Sequence, residues 1–183
     1  FEVMHRFLVA QGVRTIITAC PNCTVIFRQY APEMTVRLAY DLLGARQLQA
    51  VVPAGTEVSV HDPCPLRNDT NSHMAVRSLL ARLGYRVVDM PHQGRFALCC
   101  GEGGSVRAVR PEFANRWTRL RQREAGGRTL VTSCAGCTSF LGRSTPTVHI
   151  ADLLYQADPL KNSRPVVIRA PLSYWNRFAL KRR

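Results

Sequence analysis

The sequence predicts an α/β fold, with mainly parallel sheets flanked by helices and two halves that repeat one another. Three observations carry this reading. Short β-branched runs alternate with amphipathic helical stretches. One eleven-residue segment occurs twice, 114 residues apart. Cysteine groups follow directly on apolar runs, where an open parallel sheet gathers its loops at one crevice.

Taken in order, Glu2–Gln11 has the spacing of a helix already under way at Phe1, as expected of a fragment. Val13–Thr18 follows as a strand, and helical spacing returns at Val36–Gln49. Glu57–His61 reads as a strand, Ser72–Leu83 as a helix and Tyr85–Met90 as a strand. Pro111–Ala125 is the best-marked helix, with Pro111 in its first turn, Glu112 beside it, and Gly126-Gly127 as the stop. In it Phe113, Trp117 and Leu120 keep helical spacing, while Arg116, Arg119 and Arg123 fall on other faces. Arg128–Ser133 is the last strand expected.

The repeat is explicit. Arg14-Thr-Ile-Ile-Thr-Ala-Cys-Pro-Asn-Cys-Thr24 matches Arg128-Thr-Leu-Val-Thr-Ser-Cys-Ala-Gly-Cys-Thr138, with six of the eleven positions identical. Downstream, Thr35-Val36 and Asp41-Leu42-Leu43 resemble Thr147-Val148 and Asp152-Leu153-Leu154. Each copy reads as a strand, a Cys-x-x-Cys turn and a helix start, in Rossmann-like halves. The expected organisation is residues 1–55 as the end of a first unit, 56–163 as a complete second unit, and 164–183 as a basic aromatic tail.

Composition narrows the class. At 46% hydrophobic residues the chain has enough apolar material for a packed core, which excludes disorder. No apolar run approaches the ~20 residues of a membrane span, and no secretion signal opens the sequence. A cytoplasmic protein is expected. The charge of +13 comes from 23 Arg and 2 Lys against 12 acidic residues. No helix–turn–helix, zinc-finger spacing or RNA-binding aromatic motif accompanies it, so nucleic acid is not an expected partner.

Seven cysteines, two of them adjacent, do not suit a disulfide framework. In the complete unit they are Cys64, Cys99-Cys100 and Cys134-x-x-Cys137, with the glycine loop Gly101-Glu-Gly-Gly104 between the groups. Its glycines, Gly101 and Gly103 foremost, let backbone N–H groups approach a bound anion. Three chemistries compete for these thiols. An iron–sulfur cluster would use all five. Structural zinc needs four, usually from two close pairs. A thioredoxin-like dithiol would use Cys134 and Cys137 alone.

His61-Asp-Pro-Cys64, Cys99-Cys-Gly-Glu-Gly-Gly104 and Ser133-Cys-Ala-Gly-Cys137 together resemble the cysteine-rich CCG domain. That family occurs in the B-type subunit of heterodisulfide reductase, in the iron–sulfur subunits of glycolate oxidase and anaerobic glycerol-3-phosphate dehydrogenase, and in lactate-utilisation proteins. The resemblance implies that Cys64, Cys99, Cys100, Cys134 and Cys137 ligate one [4Fe-4S] cluster of the noncubane type. It implies that Cys20 and Cys23 belong to a second, incomplete site. It also implies a redox subunit of an oxidoreductase, serving electron transfer or disulfide reduction beside flavin or ferredoxin-like subunits.

Around this site His61 is the candidate for a hydrogen bond to a cysteine sulfur or for moving a proton, and Arg67 and Arg107 for offsetting thiolate charge. His92 and Glu102 are expected to be exposed loop residues, and His149 to lie in the helix that follows the second Cys-x-x-Cys, in a surface or packing role. From Pro159 to Arg183 there are seven basic residues and no acidic one. Tyr174, Trp175 and Phe178 there suit peripheral contact with an acidic subunit or with the cytoplasmic face of a membrane.

Overall fold

The apolar runs pair as parallel strands, and parallel pairing obliges a crossover element between each strand and the next. The computed structural model describes residues 1–43, 50, 52–155 and 171–181. Its first part runs α1 (Glu2–Ala10), β1 (Thr15–Thr18), α2 (Pro21–Tyr30), β2 (Thr35–Leu38) and α3 (Ala39–Leu43). β1 and β2 pair in parallel from Thr15 opposite Thr35 to Thr18 opposite Leu38.

The second part runs β3 (Thr56–Val60), α4 (Thr70–Arg82), β4 (Tyr85–Val87), α5 (Val106–Val109) and α6 (Pro111–Ala125). It continues through β5 (Thr129–Thr132), α7 (Ala135–Leu141), β6 (Thr147–His149) and α8 (Ile150–Tyr155). A further helix, α9 (Leu172–Lys181), is also described. The four strands lie in the order β4-β3-β5-β6, all parallel. Chain direction across the sheet therefore reverses between β3 and β5, which is where open α/β sheets form a crevice.

Side chains alternate across the sheet and divide the core in two. Val131 of β5 packs with Val58, Val60, Leu79, Leu80 and Leu153. Its neighbour Leu130 packs with Met90, Ala114, Ala125, Cys134, Cys137 and Phe140. The cysteines thus belong to the second core, beneath α6 and α7.

The sequence repeat is a repeat of structure. The series α1-β1-α2-β2-α3 recurs as α6-β5-α7-β6-α8. Cys20 and Cys134 each stand immediately before a helix, and Thr24 and Thr138 each donate a hydroxyl hydrogen bond to that cysteine's carbonyl, at 2.9 and 3.1 Å.

Three elements differ from expectation. The helix expected over Val36–Gln49 begins as strand β2, because its β-branched head pairs with β1; only Ala39–Leu43 is helical, and 44–49 lie outside the described residues. β4 ends at Val87, and Met90 turns into the second core. His149 closes β6 and is not helical. In α6 the buried face is Ala114, Thr118, Arg121 and Ala125, while Phe113 and Trp117 are exposed. Of the expected tail, 164–170 and 182–183 lie outside the described residues, as does the boundary at 163.

Candidate metal centre

Three loops bring the thiols together. Cys64 opens a short 3-10 turn (Cys64–Leu66) after β3, Cys134 stands between β5 and α7, and Cys99-Cys100 arrives on the long connection after β4. Two loops therefore flank the reversal between β3 and β5, and the third reaches over it. The five sulfurs lie close enough to shift one another's ionisation, Cys64 beside Cys99, Cys99 beside Cys100, Cys100 beside Cys137 and Cys137 beside Cys134. Cys100, Cys134 and Cys137 are buried, while Cys64 and Cys99 are partly open to solvent.

Backbone N–H groups close on the sulfurs. Gly101 N–H donates to Cys99 Sγ at 3.3 Å and Glu102 N–H to Cys100 Sγ at 3.5 Å. Gly103 N–H is directed at Cys99 as well, and those of Gly136 and Cys137 at Cys134. The glycine at 101 is a requirement. Its φ is +106°, and a Cβ there would stand 2.6 Å from the Ala114 carbonyl oxygen and 2.9 Å from the Phe140 ring. The turn into α5 also holds Ser105 at φ 57°, the sole non-glycine positive φ among the described residues.

These contacts polarise the thiols. Hydrogen bonds from Cys100 and Cys64, then backbone N–H groups, hold Cys99 far below the ordinary thiol range. The Cys137 hydrogen bond and the helix-start N–H groups bring Cys134 down to about 6. Cys64 and Cys137 are pushed up, chiefly by donating to their thiol neighbours. At Cys100 the Cys137 bond lowers the pKa, but the Cys99 bond and burial outweigh it and push it up to about 12. Thiolate is favoured at Cys99 and Cys134, where hydrogen-bond donors are aimed at sulfur.

His61 sits at the inner wall. It is 1% exposed, neither ring nitrogen has a hydrogen-bond partner, and it lies with Cys100 and Cys137 in a group whose ligand atoms are all within 4.8 Å of one another. Burial lowers its pKa to about 4, so the ring is neutral and offers one donor and one acceptor. The neighbouring Asp62 accepts a bidentate bond from Arg77, 2.9 Å to each oxygen, and the Gly94 N–H at 2.7 Å. Burial opposes ionisation of Asp62, but these bonds outweigh it and hold the carboxylate below its usual range. The loop leading to Cys99 is thereby pinned to α4.

The remaining candidates are distributed around this core. Arg67 donates to the Ala97 carbonyl at 3.0 Å and bears electrostatically on Cys64. Arg107 and Arg143 both lie over the Phe140 ring, at 5.5 and 5.1 Å. His149 accepts the Ala151 N–H at 3.2 Å. Glu102 is exposed, and its carboxylate crowds the position where Gly136 would carry a Cβ. Cys20 and Cys23 contact each other at the start of α2, and no third ligand-type side chain joins them among the described residues.

Two features escaped sequence reasoning. One is Arg77, which looks like an ordinary helix-surface arginine until Asp62 is seen to face it. The other is Arg121, wholly buried among the arginines of α6 and paired with Glu124 at 2.7 Å. An i, i+3 Arg–Glu spacing was the available signal, but it is common on exposed helices.

Residues 58–142, the span that holds all five of these cysteines, match the family model described as the cysteine-rich (CCG) domain. Over that span the chain is similar to the CCG domain. Relatives share this region at moderate identity. A fumarate reductase (CoM/CoB) subunit of Methanothermobacter marburgensis is 28% identical over 154 residues, 78% of this chain and 30% of that protein. A dihydromethanophenazine:CoB–CoM heterodisulfide reductase subunit of Methanosarcina barkeri is 25% identical over 71% of this chain and 36% of its own length. The glycolate oxidase iron-sulfur subunit of Escherichia coli is 28% identical over 81% of this chain and 41% of its own. The chain thus spans about a third of the length of these relatives.

Proposed function

We propose that this chain is an iron–sulfur redox module, holding a [4Fe-4S] cluster of the noncubane type and serving electron transfer or disulfide reduction within a larger oxidoreductase. Cys64, Cys99, Cys100, Cys134 and Cys137 are its ligands. The observation that carries the reading is the gathering of five thiols from three loops, with backbone N–H groups already directed at Cys99 and Cys100. Five thiols exceed the four that structural zinc takes, and a dithiol would leave three of them idle. The relatives' names, iron-sulfur subunit and heterodisulfide reductase among them, support the same class.

The chain's own residues also fit such a group chemically. The orphaned nitrogens of buried His61 lack a partner that a cluster sulfur or a thiolate supplies. When bound, the cluster supplies reversible one-electron chemistry. Gly101, Glu102 and Gly103 donate N–H groups that favour electron-rich sulfur. His61 holds a proton within reach of Cys100 and Cys137. Partly exposed Cys64 and Cys99 mark the side from which a redox partner or a sulfur substrate approaches.

Residues 1–55 belong on this reading to a preceding unit, whose closing Cys-x-x-Cys is Cys20-x-x-Cys23. Redox partners with flavin or ferredoxin-like cofactors follow from the class. No described helix is long and apolar enough to cross a membrane. The exposed Tyr174 and Trp175 of α9 suit peripheral contact with a membrane face or an acidic subunit.

Anaerobic purification with iron, sulfide and zinc analysis and a visible spectrum tests the proposal. Near-stoichiometric iron and sulfide with a brown chromophore is the expected result. A colourless protein with one zinc overturns it.

A further inference from the structure

We propose that Arg121 is a positioning residue for the thiol-held centre: a fixed cation, locked behind the sulfurs by Glu124 and His92, that raises the centre's reduction potential. The inference rests on the iron–sulfur reading and concerns a residue that reading does not use.

A guanidinium at 1% exposure is rare, because its charge cannot be shed and its desolvation costs several kcal/mol. Nothing about the amphipathic pattern of α6 demands it; a leucine would fill the same face. The chain instead builds a cage. Arg121 Nη1 pairs with Glu124 Oε2 at 2.7 Å, Nη2 donates to the His92 carbonyl at 2.9 Å, and Nη2 lies 3.4 Å from Met90 Sδ. Glu124 is in turn held by His92 Nδ1 at 2.6 Å. Nε of Arg121 makes no hydrogen bond, and the Nη1–Glu124 contact is an ion pair without hydrogen-bond geometry.

The cage abuts the sulfurs. One turn before Arg121 on the same buried face, Thr118 donates to the Cys100 carbonyl at 3.0 Å. Ala114, one turn earlier, closes over Gly101. Met90 packs in one cluster with Cys100, Cys134 and Cys137.

Five thiolates gather negative charge, and each added electron increases it. A buried cation stabilises the more negative state, and a buried anion opposes it, with little screening by salt. Arg121 and Glu124 therefore act with opposite signs on the same centre.

The experiment is an anaerobic dye-mediated redox titration of the purified iron-loaded chain at one fixed pH, after iron and sulfide analysis of every variant. Arg121→Gln is expected to keep iron and spectrum and to be harder to reduce, the reduced-to-oxidised ratio at a given poise falling roughly tenfold. Glu124→Gln is expected to shift the ratio the other way, and Arg121→Lys to return most of the wild-type value. Iron-loaded Arg121→Gln with an unchanged potential, or both neutral variants shifting in the same direction, overturns the proposal. Should Arg121→Gln fail to fold, Glu124→Gln decides, and an unchanged or lowered potential in that variant overturns it. A wild-type chain without iron overturns the iron–sulfur reading itself, which is a separate result.

Discussion

At Gly101 one hydrogen atom in place of a methyl group decides whether the cysteine loop can lie where it does. A Cβ there meets backbone from α6 and the Phe140 ring, and φ is +106°. Gly101→Ala should therefore destabilise the protein by about 2 kcal/mol or more, read from denaturant unfolding. Gly103→Ala is the control, because its Cβ would make an ordinary 3.5 Å contact with Cys99 Sγ and its φ is not positive. Equal losses would show that the loop tolerates no side chain anywhere and that the close approach at 101 is not the cause. The thiols divide in the same way. Cys100→Ala should abolish the visible chromophore, whereas Cys23→Ala, exposed and apart from the five, should leave it intact. Loss of colour in both would place Cys23 in the same centre.

Between elements, α2 of the first repeat and α4 of the second are tied by a single carboxylate. Asp69 caps α4 by accepting from the Ser72 N–H at 3.1 Å, and it takes Arg28 Nη1 at 2.6 Å. Burial alone would raise its pKa, but the Arg28 and Ser72 bonds prevail and lower it. A depressed carboxylate stabilises the fold above its unfolded pKa of about 3.9 and loses that contribution as pH falls through the folded value. Asp69→Ala should cost about 1–2 kcal/mol at pH 7, mostly through the cap, with the difference from wild type closing in acid. Arg28→Gln should cost less than about 1 kcal/mol, since that side chain is 41% exposed. At this scale the alternation of strands with helices was legible in the sequence because burial imposes periodicity. The Cys-x-x-Cys turns were legible because their chemistry repeats. β2 was not, since four residues at the head of a helical pattern carry too little period to outvote it. The buried face of α6 was hidden for another reason: it consists of small and polar residues, Ala114, Thr118, Arg121 and Ala125, while its aromatics face outward. The Asp62–Arg77 clamp depends on two loops meeting, and no spacing encodes that.

Over the whole molecule, a sheet whose direction reverses between β3 and β5 gathers loops from distant parts of the chain. An iron-loaded chain should unfold at higher temperature than the same chain stripped by a chelator, since the folded state alone brings the five thiols together. Equal melting temperatures would separate metal binding from the fold. Among the described residues, most of the arginines are exposed, whereas Arg77 clamps Asp62 and Arg121 is buried against Glu124. The three-loop origin of the sulfurs also fixes an order of events. No stretch of the unfolded chain offers more than a Cys-x-x-Cys or a Cys-Cys pair, so a nascent polypeptide has no complete nest in which to receive a cluster. On the iron–sulfur reading, maturation follows folding, and machinery that delivers iron and sulfide would meet the finished surface beside Cys64 and Cys99 and not a peptide motif.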